Sequence, residues 1–505
     1  MLKKNFRRTL ASILLPLSVA LTSVGGATGA GAATPRTAAA ASVTIQNDVF
    51  WKDTSGTPIY SQGGGVLKVG GTYYWYGAKY NGAVSYAGNP AGGKNSDTSL
   101  SAITIYSSTD LANWKFEGNA LTAADLGGAW VGRIGVARNP NTGKFVLVSQ
   151  LDSGLVFATS STPNGKFTRA GTQSSISGVS TGMSGDQSVF TDDDGKAYLI
   201  YSNKSGRSHL YVSTLRASDF LQVDPAKNVY NSSAGGREGN IMFKYGGTYY
   251  FCSSDLHGWN ASHTYCISAK NIMGPYSAEF VLQGTDADFS HVTQTGLAFT
   301  VTGSQGSFVM FGGDRWSDFA GNGIGYNDWV PVTFSGTTPV FHSLNQWTVD
   351  AAAGTWAAGR GNNHVLNPGA EADRVAQNDL AGWTTTGGAV NSNKLGGHTG
   401  RWAFAQSSSA AYNASRYQNI ALPNGTYTLS AWVKGSGGQK KATLFAKNFG
   451  AGELSTSISQ PLGNWTKVSV SGIAVTNGSI QVGVFSDANA GNWVNVDDFS
   501  LVQTG

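Results

Sequence analysis

The chain has little that titrates and little that cross-links. Charged residues make up only 12% of its 505 positions, and cysteine occurs twice. So few cations of one sign leave no basic stripe for a phosphate backbone, which argues against a nucleic-acid partner. Two thiols are too few for a structural zinc site, which takes four ligands. Beyond the N-terminus no apolar run approaches the ~18 residues of a membrane span, so no membrane partner is expected.

The N-terminus itself reads as an export signal. Lys3, Lys4, Arg7 and Arg8 precede an apolar run from Leu10 to about Val24, followed by the small-residue pattern Ala30-Gly31-Ala32. Residues 1–32 are therefore expected to be removed and the mature protein to be secreted and extracellular. The formal charge of +5 includes those four cations, so the mature chain is near neutral. An oxidising compartment permits a disulfide between Cys252 and Cys266, which lie in adjacent strand-like runs.

Glycine and aromatic residues are plentiful, with 68 Gly, 14 Trp and 20 Tyr. That balance favours short strands and tight turns over helices. A Gly- or Asp-bearing turn feeding an aromatic, β-branched strand recurs five times at a spacing of roughly fifty to sixty residues. The instances are Val69-Gly-Gly-Thr-Tyr-Tyr-Trp-Tyr76, Asn141-Thr-Gly-Lys-Phe-Val-Leu-Val148, Asp192-Asp-Asp-Gly-Lys-Ala-Tyr-Leu-Ile-Tyr201, Tyr245-Gly-Gly-Thr-Tyr-Tyr-Phe251 and Gly303-Ser-Gln-Gly-Ser-Phe-Val-Met310. This predicts an all-β chain: a five-bladed β-propeller over residues 43–350, with a β-sandwich array as the alternative. Residues 351–362 read as an Ala- and Gly-rich linker, and residues 363–505 as a β-sandwich of jelly-roll type.

A propeller gathers equivalent positions of its blades at one axis, so carboxylates near the inner strands are the candidates for chemistry. Glu238, in Gly235-Gly-Arg-Glu-Gly-Asn-Ile-Met-Phe-Lys244, precedes a strand. Asp186, in Met183-Ser-Gly-Asp-Gln-Ser-Val-Phe190, is read as holding the same point one blade earlier. Glycoside hydrolysis requires such a pair: a protonated acid at the leaving oxygen and a second group that tunes it or activates water.

With those motifs in place the chain resembles glycoside hydrolase family 43 over almost all of residues 45–350. The likeness rests on Arg237, Glu238, Phe243, Lys244, Gly247, Tyr249 and Tyr250, and on Asp186 before Phe190 and the Asp192–Leu199 run. It implies Glu238 as general acid and Asp186 as modulator of its pKa. The usual third carboxylate is missing, because Gly63 stands where the family places an Asp. One branch, the exo-β-1,3-galactanases, lacks that base and carries a glutamine instead; Gly63-Gly-Gly-Val-Leu and Tyr73-Tyr-Trp-Tyr-Gly77 resemble it. In that reading Gln294 takes the base position before Gly313-Asp-Arg-Trp316, with Gln305 a second candidate, acting as an imidic-acid tautomer or as a positioner of water.

The resemblance further implies Trp259, Asn260, Arg133, Asp314, Trp316 and Trp329 as sugar contacts. Two glutamates of the branch are replaced, by Ala78 and by Gly132. An α-L-arabinofuranosidase or galactofuranosidase of the same fold, and a non-catalytic carbohydrate-binding protein, are therefore the competing readings. In the C-terminal segment, Leu366-Asn-Pro-Gly-Ala-Glu371 and Val496-Asp-Asp-Phe499 resemble the ends of sandwich carbohydrate-binding modules, which implies a structural Ca2+ shared by Glu371 and Asp498. No cofactor is expected for catalysis. A β-1,3-galactan or arabinogalactan polysaccharide is the expected partner, and a monomer the expected state.

Overall fold

A computed structural model describes residues 42–89, 95–315 and 326–505, all within one compact unit. The export segment 1–32 and Trp316 lie outside the described residues. No helix among those described is long and apolar enough to cross a membrane.

The five recurring turn-and-strand segments each fall at the same place. Every one is the hairpin between the first and second strands of a four-stranded antiparallel sheet. The sheets follow one another along the chain. The first comprises Gln62–Val69, Thr72–Tyr80, Leu100–Ser108 and Lys115–Thr122. The second comprises Val131–Arg138, Phe145–Leu151, Gly154–Ser160 and Thr168–Gln173. The third comprises Ser184–Thr191, Ala197–Asn203, His209–Thr214 and Lys227–Asn231. The fourth comprises Arg237–Tyr245, Thr248–Asp255, Thr264–Ala269 and Phe280–Val281. The fifth comprises Gln294–Thr302, Ser307–Arg315, Tyr326–Ser335 and Thr338–Phe341. Local chemistry sets the turns: Tyr245 pairs with Thr248 across Gly246 and Gly247, both at positive φ, as a two-residue hairpin loop requires.

The first strand of each sheet touches the first strands of the sheets before and after it, and the fifth touches the first. A ring closes in this way around an axis. Between each neighbouring pair of sheets lies a separate apolar cluster. Tyr76, Ile105 and Leu147 fill the first gap, Phe157, Leu199 and Tyr201 the second, Ile200, Met242 and Phe251 the third. Phe243, Phe311 and Val332 fill the fourth. Trp75, Met310 and Trp329 close the ring between the fifth sheet and the first. The last gap is tryptophan-rich: the rings of Trp75 and Trp329 lie 4.8 Å apart, with Trp114 and Trp51 against them. Val43–Gln46 pairs with Gln346–Asp350 beside this gap and so ties the two ends of the ring together.

Cys252 and Cys266 face each other on adjacent strands of the fourth sheet and are joined by a disulfide. The stretch 351–362, read as a linker, contains a short strand. Thr355–Ala358 folds back as a strand on Gln346–Asp350, because Asp350 caps the Ala352 and Ala353 amides and sets a tight turn.

The C-terminal residues form two five-stranded antiparallel sheets. One runs in the order Thr384–Thr386, Tyr412–Ala421, Ser479–Ala488, Lys441–Lys447, Leu454–Ser457. The other runs Asn391–Leu395, Trp402–Ser407, Trp493–Gln503, Gly425–Gly435, Leu462–Val475. Alternating inward residues of both, Leu429, Val433, Val482 and Val496 among them, share one core with Trp383, Phe404 and Phe499.

Candidate active site

Each of the five inner strands breaks register shortly after it begins. The interruptions fall between Gln62 and Gly65, Val131 and Ile134, Ser184 and Gln187, Glu238 and Ile241, and Thr295 and Leu297. A bulge inserts an unpaired residue and re-aims its side chain. The residues within the breaks are Gly63 and Gly64, Gly132 and Arg133, Gly185 and Asp186, Gly239 and Asn240, and Gly296, so each break holds a glycine and three of them also carry a polar side chain.

Arg133 and Asp186 lie within their bulges, whereas Glu238 is the last paired residue before one. The two carboxylates are therefore not at equivalent points of their strands, contrary to the sequence reading. The bulges offset them, and they meet nonetheless through Arg207. Its Nη1 donates to Glu238 Oε2 at 2.6 Å and to Asp186 Oδ1 at 3.0 Å. Asp186 Oδ2 accepts from the Gly239 amide at 3.0 Å and from Arg133 Nε at 3.4 Å. Arg133 in turn donates to Asp314 at 2.6 Å and to Gln294 Oε1 at 3.0 Å. Gln294 Nε2 donates to Glu238 Oε1 at 2.7 Å and to the Gly258 carbonyl at 3.2 Å.

This arrangement drives the two carboxyls apart in acidity. Burial, then the Asp186 charge, pushes Glu238 up to about 7, against the pull of Arg207 and Arg133. Burial alone would also raise Asp186, but Arg207, Arg133 and the Gly239 amide outweigh it and hold that carboxyl below its ordinary value. A carboxylic acid protonated near neutrality beside a carboxylate that stays ionised is the division of labour that general acid catalysis needs.

These groups line a cavity of about 230 Å³, together with Gly63, Tyr80, Trp130, Gly132, Gln150 and Trp259. It lies below the ~300 Å³ of ordinary drug-sized pockets, room enough for one sugar ring. Gly63 contributes no carboxylate; its amide donates to Asp314 at 3.2 Å. At Gly132 a Cβ would stand 2.6 Å from Gln150 Oε1 and 2.7 Å from the Trp130 ring, so those two side chains hold the room that a longer residue there would need.

Of the expected sugar contacts, Arg133 and Trp259 line the cavity. Trp329 does not: it is fully buried among Trp75, Trp51 and Trp114, and packs the ring closure. Asp314 is buried away from the cavity wall and anchors Arg133. Asn260 turns its amide to the His257 carbonyl instead of the cavity. Gln305, the second candidate for the base, sits in the outer turn bonded to Ala353. Arg207, Trp130, Tyr80 and Gln150 were not singled out by sequence. Arg207 lies at positive φ in a loop without a motif, and only the ring places it between the two carboxyls.

In the C-terminal module Glu371 Oε1 accepts the Arg401 and Trp402 amides, and Asp498 pairs with His398 and Thr399. Asp497, beside them and fully buried, is a third carboxylate that sequence reading passed over. A Cβ added to Gly369 would meet Asp497 Oδ1 at 3.1 Å and one on Gly400 would meet Glu371 Oε1 at 2.3 Å, so two glycines leave room around the carboxylates. Among the described residues, however, the group of carboxylates and histidines gathered closely enough to share an ion is Asp48, His291 and Asp328, not these three.

A closed ring of four-stranded sheets with two unequal carboxyls in an axial cavity defines a glycoside hydrolase domain. The sequence model of glycosyl hydrolases family 43 matches residues 62–311, and through this domain the chain belongs to that family. Over 168 residues it is 31% identical to a 1,6-alpha-glucosyltransferase of Sporosarcina globispora, covering 30% of this chain and only 13% of that protein's length. The solved structures similar in fold include the following three. An exo-β-1,3-galactanase from Phanerochaete chrysosporium, bound to β-1,3-galactotriose, is 22% identical over 91% of this chain and 100% of its own, with a TM-score of 0.57. An exo-β-1,3-galactanase from Clostridium thermocellum is 21% identical over the same shares, with a TM-score of 0.56. A β-1,3-galactosidase with galactodeoxynojirimycin is 24% identical over 59% of this chain and 98% of its own, with a TM-score of 0.50.

Proposed function

We propose that the protein is a secreted, exo-acting, inverting glycoside hydrolase that releases galactose from β-1,3-galactan or arabinogalactan chains. In this reading the five sheets are the blades of a propeller and the two C-terminal sheets are a jelly-roll sandwich that binds carbohydrate. The observation that carries it is the Glu238–Arg207–Asp186 arrangement, with Glu238 held near neutrality in a cavity sized for one ring. Glu238 gives its proton to the glycosidic oxygen as the bond to the anomeric carbon breaks, and the departing sugar keeps the bonding electrons. Water adds from the opposite face, which inverts that carbon.

Gln294 positions the water and does not take its proton. Its carbonyl oxygen is held by Arg133, and its two N–H groups donate to Glu238 and to the Gly258 carbonyl, so a donor is freed for the water once substrate parts the amide from Glu238. The water's proton passes to solvent as its oxygen bonds to the oxocarbenium-like carbon and becomes strongly acidic. Substrate must displace the Gln294–Glu238 hydrogen bond on entry.

An α-L-arabinofuranosidase or galactofuranosidase is the second reading, favoured by Gln150 and Trp130 occupying the space beside Gly132. Product analysis on β-1,3-galactan and on p-nitrophenyl arabinofuranoside separates the two: galactose supports the first, arabinose alone the second. No product from either leaves a carbohydrate-binding protein. In the C-terminal module, half-buried Trp432, Trp465 and Trp493 offer rings for stacking on sugar. Glu371, Asp497 and Asp498 would hold a structural Ca2+ there. The protein acts as a monomer.

A further inference from the structure

Two segments that frame the active-site cavity are also touched by the C-terminal module. One is the loop between Thr248–Asp255 and Thr264–Ala269. Its Gly258 carbonyl accepts from Gln294, and its Trp259 lines the cavity. The other is Phe289–Val292, one turn ahead of Gln294. All four of its residues have φ between +50° and +59°, and none is glycine. A left-handed turn of L-residues costs roughly 1–2 kcal/mol per residue, so it must be held from outside.

Part of the hold comes from the ring itself. The Asp288 carboxylate accepts the His291 amide at 2.9 Å, Arg315 donates to the His291 carbonyl at 2.6 Å, and Ser290 Oγ donates to the Ser262 carbonyl at 2.8 Å, which joins the two segments. The rest comes from the C-terminal module. Ala372 and Ala381 pack on Ala261, Val292 and Phe289. Arg374 donates from Nη1 to the Ala261 carbonyl at 2.7 Å, lies over the Phe289 ring at 4.5 Å and stands 3.7 Å from Asp255 Oδ1. It meets both segments with one side chain. Its own place is fixed by the preceding residue: the buried Asp373 carboxylate accepts from Asn367, Gln377 and the Ala381 amide.

We infer that Arg374 is a positioning residue of the active site, and that the C-terminal module thereby forms part of the scaffold of the catalytic cavity. The inference rests on reading that cavity as the hydrolytic site. Its action is partly geometric, through Gly258, Trp259 and Gln294, and partly electrostatic. Asp255 is one of the charges that favour the protonated form of Glu238; the others facing Glu238 are Asp186, which acts in the same sense, and Arg207 and Arg133, which oppose it. Asp255 itself is faced by His257 at 2.8 Å, by Ser262 and by Arg374, with His263 and Tyr265 nearby. Removing Arg374 leaves the Asp255 charge less compensated and shifts Glu238 toward its protonated form.

The test uses the full-length protein as wild type, Arg374→Ala and Arg374→Lys, with hydrogen exchange read by mass spectrometry and kcat, KM and pH profile measured on β-1,3-galactan. In R374A, peptides spanning 256–263 and 287–294 should exchange several-fold faster, while 100–108 in the first sheet is unchanged. The kcat should fall about tenfold to a hundredfold, the scale of a small misplacement of reacting groups, with KM changed less, and the basic limb of the profile should move to higher pH. R374K, which keeps the charge, should restore the limb and only part of the exchange protection; if R374A does not fold, Arg374→Gln and R374K provide the same comparison. Unchanged exchange in both segments overturns the clamp, and faster exchange with unaltered kcat and pH profile overturns the positioning role. A wild type that cleaves no glycoside overturns the hydrolytic reading of the cavity, while the exchange data still decide the clamp.

Discussion

Gln294 and Glu238 are hydrogen-bonded to each other at 2.7 Å on the lining of the cavity, and the amide is oriented by Arg133 through its carbonyl oxygen. The residue proposed to position the water is thus bonded to the proposed acid. Gln294→Glu would put a second carboxyl against an acid already pushed up to about 7. Like charges this close cannot both ionise, so Q294E should raise the basic limb of the pH–activity profile. A profile that stays in place would show that the two side chains do not face each other.

Glu238→Gln removes the proton that the leaving oxygen needs. The loss in kcat should be about 10²–10⁴-fold, the usual worth of a general acid, with binding of galactose or oligosaccharide retained by calorimetry. Loss of binding together with kcat would instead give Glu238 a role in holding the sugar.

The pH dependence follows from the same pair. Activity needs Glu238 protonated and Asp186 ionised, so it should fall as pH rises through about 7 and persist on the acid side until Asp186 protonates below its ordinary range. Asp186→Asn deletes a charge that raises Glu238. The basic limb of its residual activity should move to lower pH, and a shift upward would contradict the assignment.

Stability should show the converse of catalysis. The folded state binds the Glu238 proton more tightly than the unfolded chain, so between about pH 4.5 and 7 this group makes stability fall as pH rises. E238Q should therefore be more stable than wild type at pH 8, by at most about 3.5 kcal/mol at ~1.4 kcal/mol per pH unit. The advantage should vanish below pH 4.5 in thermal melts.

Two further measurements address the scaffold. Cys252 and Cys266 are 14 residues apart, and a loop of about 15 residues closed by a disulfide is worth ~3 kcal/mol in the chain-entropy account. Replacing both by serine should cost about that in denaturant unfolding. Chelation should lower the melting temperature of the intact protein, and Ca2+ should restore it; Glu371→Gln should remove the response.

The turn-and-strand segments were legible because each hairpin carries its own local signal, and all five fell between first and second strands. The axial groups were legible only as motifs, since register breaks at Glu238 and Asp186 leave no mark in the sequence. Trp329 shows the other limit: a tryptophan beside Val330-Pro331 reads equally as a sugar platform or as core, and ring closure against Trp75 makes it core. Thr355–Ala358 was lost among Ala and Gly because its pairing depends on a strand that closes the ring. Arg207 and Arg374 act across distant parts of the chain, which no local pattern records.

The anomer first released from β-1,3-galactan, followed by proton NMR with wild type and E238Q side by side, decides both the stereochemistry and the acid. Inversion predicts α-galactose from wild type, mutarotating to the equilibrium mixture, and an acid role for Glu238 predicts none from the variant. Initial β-galactose would contradict inversion, and galactose at wild-type rate from E238Q would contradict the assignment of Glu238 as the acid.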